Sequence, residues 1–186
     1  MGLDMYIYQR KKESAISNEE AKTLVKCQRE AQAIEKDIEA KCLEAVKKFK
    51  VDTEEYYDAK NSFMNSEYVK EKRNVLKKLN KTVSNITLVE EVAYFRKHPD
   101  LHGLIEKKWR EAGNEGEFNC QKFVLSKEFC NELLEIAKNP KDVETTTGFF
   151  FGTSCDEDWK DTVVALEKAL EILKDDTMEV FYDSWW

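Results

Sequence analysis

The densest run of side chains able to do chemistry lies in mid-chain, where Glu91, Tyr94, Arg96, Lys97, His98, His102 and Trp109 follow one another over residues 91–109. Arg96 offers a planar fork that suits a carboxylate or a phosphate, and Lys97 a point charge. Tyr94 and Trp109 offer faces on which a base or other ring can stack. At helical spacing Glu91, Tyr94 and His98 share one face. Together these residues predict a pocket for a small anionic or nucleotide-like ligand. The competing reading is an amphipathic helix with solvated charges and aromatics in the core, and such structural uses are the commoner.

The two ends of the chain add to this set. In YDSWW, read as a strand, Tyr182, Ser184 and Trp186 share one face, with Asp183 and Trp185 on the other. Two tryptophans in solvent are costly unless they are buried or bind something. Asp4 and Tyr6 alternate in the same way near the start. If the first and last strands pair, Asp4, Tyr6, Asp183 and Trp185 converge beside the segment Glu91–His102.

Other constellations are weaker. His98 and His102 have the i, i+4 spacing of metal ligands, but Pro99 lies between them and no paired cysteines supply further ligands, so no metal and no cofactor is expected. A nucleophile set can be drawn from Cys120, His102 and Asp183, yet a chain with five cysteines permits many such drawings. The acidic run Asp156, Glu157, Asp158 and Asp161 sits where a helix is expected to begin, which the helix dipole explains.

These side chains must be carried by elements that the hydrophobic pattern indicates. Residues 3–9 alternate Leu3, Met5, Ile7 against Asp4, Tyr6, Tyr8 and read as a strand. Ser17 or Asn18 caps a helix over about 18–50, whose apolar or small positions 24, 27, 31, 34, 38, 42, 45 and 49 step by threes and fours like a coiled-coil seam. A turn at Val51-Asp52-Thr53 leads to a second helix with Phe63, Met64, Tyr68, Val75, Leu76, Leu79 and Val83 inward. Residues 84–109 read as helix, break at Pro99, helix, with Leu88, Val92 and Phe95 inward in the first and Asp100 capping the second. A strand over 118–125, a helix over 126–138, a strand-like 145–152, a helix over 155–173 and a strand over 177–186 complete the chain. The fold class expected is α+β: a small antiparallel sheet of about four strands covered by helices, with a long helical hairpin inserted. The compact body comprises 1–10 and 86–186, and the hairpin 11–85.

Composition supports this division. The 186 residues contain 6 Gly and 2 Pro, none of them between Leu3 and His98, which excludes a β-sandwich of many tight turns in the first half. The net charge of −7 is an average: 17 basic against 14 acidic side chains over 11–85, and 12 against 22 over 86–186, where all four Trp also lie. An acidic, aromatic half argues against broad nucleic-acid binding there, and the 11–85 block looks too evenly mixed for a basic arm. No apolar run approaches a membrane span. Five cysteines without a CxxC, and no apolar stretch behind a basic start, point to reduced thiols in the cytoplasm.

MGLDMY at the start, EVAYFRKHPDLHG in the middle, FNC at 118–120, GFFFG at 148–152 and YDSWW at the end resemble an uncharacterised family common in phages and prophage-bearing bacteria. Its members open with MGLDMY, carry an EVAYWRK…H segment and close with YDSWW. Phe95 stands where that family carries Trp, and residues 11–85 match none of its signatures. Members often carry the label phosphoglycerate kinase, which these residues do not support: there is no Gly-rich phosphate loop, and the chain is too short for two nucleotide-binding lobes. The resemblance implies a phage-linked accessory role in a host bacterial cytoplasm. The leading expectation is a non-catalytic, anti-defence type of protein that binds a nucleotide-like ligand through Asp4, Tyr6, Glu91, Tyr94, Arg96, Lys97, His102, Trp109, Asp183 and Trp185. Two rivals are an inhibitor of a host protein that docks or forms a homo-oligomer through the hairpin, and a small hydrolase using Glu91 or His102.

Overall fold

The structure, a computed structural model, describes residues 2–141, 143–148 and 151–186. The chain divides into two compact units: Met1–Ala15 with Leu88–Trp186, and Ile16–Thr87.

The first unit is built on the strands β1 (Asp4–Lys11), β2 (Glu90–Arg96), β3 (Phe123–Leu125) and β4 (Met178–Trp185). They form one four-stranded sheet in the order β2-β1-β4-β3, every neighbouring pair antiparallel. The first and last strands of the chain are therefore its central pair. The period-two pattern of β1 explains why. Leu3, Met5 and Ile7 are wholly buried, while Asp4, Tyr6 and Tyr8 are only half-buried. Each fully buried side chain of that kind contributes about 1.5–3 kcal/mol from area alone. Phe95, Leu125, Val180 and Tyr182 face inward from the other strands. Three helices supply the rest of this core: α4 (Pro99–Glu111) with Leu101, Ile105 and Trp109, α5 (Lys127–Lys138) with Phe129 and Leu133, and α6 (Asp156–Ile172) with Trp159 and Leu166.

Several elements depart from expectation. Residues 90–96 form a strand, not a helix. Apolar positions 88, 92 and 95 mimic helical spacing, but pairing with β1 selects the period-two reading, with Phe95 buried and Tyr94 exposed. Leu88 lies outside the strand, half-exposed, at φ 53°. Asp100 is not the cap of α4. Pro99 opens the helix, and the Ser154 hydroxyl, from the loop before α6, accepts the Asp100 N–H at 3.2 Å. Of 118–125 only Phe123–Leu125 is strand; upstream, the Cys120 N–H donates to the Ser184 carbonyl at 2.7 Å. Residues 145–148 and 151–152 are not strand, and Phe149 and Phe150 lie outside the described residues.

The second unit contains α1 (Asn18–Val46), α2 (Glu54–Met64) and α3 (Glu67–Thr87). Ser17 caps α1 with a reciprocal Ser17–Glu20 pair of bonds. All eight expected seam positions are buried or half-buried, seven of them within α1, and α1 packs on both α2 and α3. Three differences stand out. Helix α1 stops at Val46, before a turn in which Asp52 takes φ 65°. The expected second helix is two, because Ser66 caps a new start by accepting the Val69 N–H. Val75 faces outward. The Tyr68 hydroxyl donates to Asp37 of α1 and holds that carboxyl below its ordinary range, helped by Lys72.

Candidate functional site

The outer face of the sheet collects residues from three distant segments. Directly across β1 and β4, Asp4 faces Trp185, Tyr6 faces Asp183, Tyr8 faces Phe181 and Arg10 faces Glu179. On the other side of β1, Asp4 faces Arg96 and Tyr6 faces Tyr94. The register then slips at Val92, which brings Glu91 opposite Tyr8. Opposed side chains on one face lie about 4.5–5.5 Å apart at Cβ, so these pairs touch.

The result is a row of rings. Tyr94 and Tyr6 have centroids 5.1 Å apart, Tyr6 and Tyr8 5.6 Å, and Tyr8 and Phe181 5.4 Å. One end of the row is closed: the Arg10 guanidinium lies 5.0 Å and the Lys122 ammonium 5.4 Å from the Phe181 centroid, and Phe181 is buried. The other end is open, with Tyr94 46% and Trp185 53% exposed.

Polar groups are fixed around the open end. Asp4 accepts the Tyr94 hydroxyl and lies 3.9 Å from Arg96 Nε. The Asp4 carboxylate raises the Tyr94 phenol above its ordinary pKa, so the phenol stays protonated and donating. Burial, and then the Glu91 charge, raises Tyr8 likewise. Asp183 accepts the Ser184 N–H at 3.0 Å. A flat ring laid on Tyr6 and Tyr94 meets carboxylates that accept ring N–H groups, and a guanidinium with donors for an anionic substituent. The arrangement can hold and orient such a ring.

Six of the ten expected residues thus come together: Asp4, Tyr6, Tyr94, Arg96, Asp183 and Trp185. Glu91 stands one step along the row. Lys97 leaves the strand at φ 61°, its N–H donating to Leu3, and packs at the corner against Gly2 and Gly152. His102 and Trp109 are corrections. Both are buried in α4, on the opposite, helix-covered face. His102 Nδ1 is 2.7 Å from the Tyr182 hydroxyl, its ring contacts Phe118, Phe151 and Trp186, and burial pushes its pKa down to about 4. It cannot serve as a solvent-accessible general base, which removes it from the hydrolase reading. The sheet also separates His102 from Asp183, so the Cys120–His102–Asp183 set does not assemble. His98 turns Nδ1 to Ser154 at 2.8 Å, and no metal-holding group of His, Cys, Asp or Glu occurs among the described residues. Asp158 accepts the Cys155 N–H, the use expected of an acid at a helix start.

Tyr8 and Phe181 were not among the expected site residues, although both follow from continuing the alternation two residues along each strand. Nor was a groove of about 550 Å³ on the helix-covered side, lined by Glu106, Arg110, Phe118, Phe151 and Trp186, legible in the sequence. Arg110 is committed there to Glu106 and to the Gly116 carbonyl, each at 3.1 Å, so its donors are largely spent. Arg96, 60% exposed, keeps more of its fork for a ligand.

No family model, no curated protein and no solved structure matches this chain. Among the described residues no helix is long and apolar enough to cross a membrane.

Proposed function

We propose that the protein binds a small, flat, nucleotide-like ligand on the open end of the sheet's outer face, and acts by holding it. The observation that carries this reading is the central position of β1 between β2 and β4, which unites Asp4, Tyr6, Tyr94, Arg96, Asp183 and Trp185. Tyr6, Tyr94 and Trp185 stack the ring, Asp4 and Asp183 accept its N–H groups, and Arg96 takes an anionic substituent. The resemblance of the chain's ends to a phage family supports a setting: an accessory protein in a host bacterial cytoplasm that sequesters a nucleotide-type immune signal. Calorimetry against nucleotides, cyclic nucleotides and ADP-ribose derivatives tests this. One compound of the panel should bind, and Tyr6→Ala should weaken it about tenfold or more, since base–aromatic stacking contributes about 1–3 kcal/mol. Absence of heat with every compound, together with a Tyr6→Ala variant that matches the wild type in any cell-based phenotype, removes the reading.

A second reading rests on the second unit. Leu43 (61% exposed) and Val51 (64%) flank a groove of about 540 Å³ that Val46, Phe49 and Tyr56 line. Exposed apolar side chains clustered in this way suit a protein partner or a second copy. Light scattering that finds a dimer, lost on Leu43→Lys, supports it; a monomer at all concentrations counts against it.

A further inference from the structure

By count, residues 11–85 are nearly balanced in charge. The fold sorts what the sequence mixes. In α3 the last acid is Glu71; from Lys72 to Thr87 the helix carries Lys72, Arg73, Lys77, Lys78 and Lys81 and no Asp or Glu. Lys72 turns to α1, its ammonium 3.2 Å from Asp37. Val69, Leu76, Leu79 and Val83 define the packed side of α3. At 3.6 residues per turn, Lys70, Arg73, Lys77 and Lys81 lie within about 80° of arc. Lys70, Lys77 and Lys81 turn away from the packed side, with Lys78 beside them, and Arg73 stands at its edge, where it donates to the Met64 carbonyl at 3.5 Å. All five are exposed. Lys70 has only a long 3.8 Å pair with Glu67, and Lys77, Lys78 and Lys81 have no acidic partner among the described residues.

The shape of this charge selects its partner. Lys70 to Lys81 spans about 16 Å of helix axis at about 1.5 Å per residue. Side chains on a convex helix face diverge, so they do not converge on one phosphate as a small-anion pocket must. A straight row of cations complements a straight row of anions. A membrane-surface helix needs a free apolar face to enter lipid, and the apolar face of α3 is packed on α1. No aromatic side chain interrupts the cationic row to stack bases, so sequence readout has no basis there.

We propose that the outward face of α3, carried by Lys70, Arg73, Lys77 and Lys81, docks the phosphate backbone of a nucleic acid without reading its sequence. The row is independent of the ring-binding face, and either can fail alone. Fluorescence anisotropy of the full chain with labelled DNA and RNA duplexes, two unrelated sequences of each, tests it. Binding of either type of duplex with equal affinity for its two sequences is expected. Four phosphate contacts give a slope of log K on log salt of about −3.6, hence about a 10²-fold loss between about 50 and about 200 mM salt. The pair Lys77→Glu and Lys81→Glu should flatten the slope by about two, with unchanged helical circular dichroism. Three results would overturn it: no binding of either duplex at the lower salt, affinity unaltered by the charge reversals, or binding to phosphatidylserine vesicles but to neither duplex.

Discussion

His102 shows how far one residue's role depends on its surroundings. Its ring is wholly buried, bonded at Nδ1 to Tyr182, with Nε2 3.9 Å from Glu106. Burial holds its pKa near 4, against an ordinary 6.5. The depressed value fixes the sign of a pH effect. Above the ordinary value both folded and unfolded chains are neutral at this site, and its contribution is fully present. As pH falls from about 6.5 toward about 4, the unfolded chain takes up the proton first and stability is lost. At about pH 4.5 this amounts to about 3 kcal/mol, at about 1.4 kcal/mol per pH unit. Burial lowers His98 too, so it acts in the same direction. Equilibrium denaturation at about pH 7 and about pH 4.5 checks this, and His102→Phe should flatten the profile over that window. The sequence presented His102 as a site candidate because it lies in the polar and aromatic run 91–109, and the inward face of α4 that it occupies was not visible. Arg96 and Tyr94 were legible as recognition residues from their chemistry alone. Their common anchor, Asp4, lies about ninety residues away and needed the pairing of β1 with β2.

At the scale of elements, β1 is the strand on which the site depends. Its inner residues hold the core and its outer residues form the middle of the ring row. Adjacent substitutions should therefore behave oppositely. Met5→Ala should cost about 2–5 kcal/mol, as a wholly buried side chain leaves a cavity. Tyr6→Ala should cost about 1 kcal/mol, as its half-buried ring loses mainly contacts with Tyr94 and Tyr8. Thermal denaturation of the two variants separates the faces. The alternation in β1 was readable because its aliphatic residues Leu3, Met5 and Ile7 all fall on one face. The segment 88–96 was not, because its apolar residues fit a helical period and a strand period alike, and only a partner strand decides. The charge of α3 was hidden for a related reason: a count over 11–85 averages residues that the helices place on different faces.

At the scale of the molecule, the second unit interrupts a simple connection. Gln9 pairs with Glu90, so the chain leaves and re-enters the sheet at neighbouring positions on adjacent antiparallel strands. A short turn can span that gap. Replacing residues 16–87 by a Gly-Asn-containing turn should leave a body that unfolds cooperatively and keeps the near-ultraviolet circular dichroism of the four tryptophans. The same body should retain ring binding and lose duplex binding. The most direct test of the account is the nuclear magnetic resonance spectrum of the full chain, with its aromatic side chains assigned, titrated with whichever compound of the nucleotide panel gives heat. Binding at the proposed site predicts ring-proton shifts at Tyr6, Tyr94 and Trp185, with Trp109 and Trp159 unmoved. Shifts confined to Trp186 and Phe151, on the groove across the sheet, would contradict it.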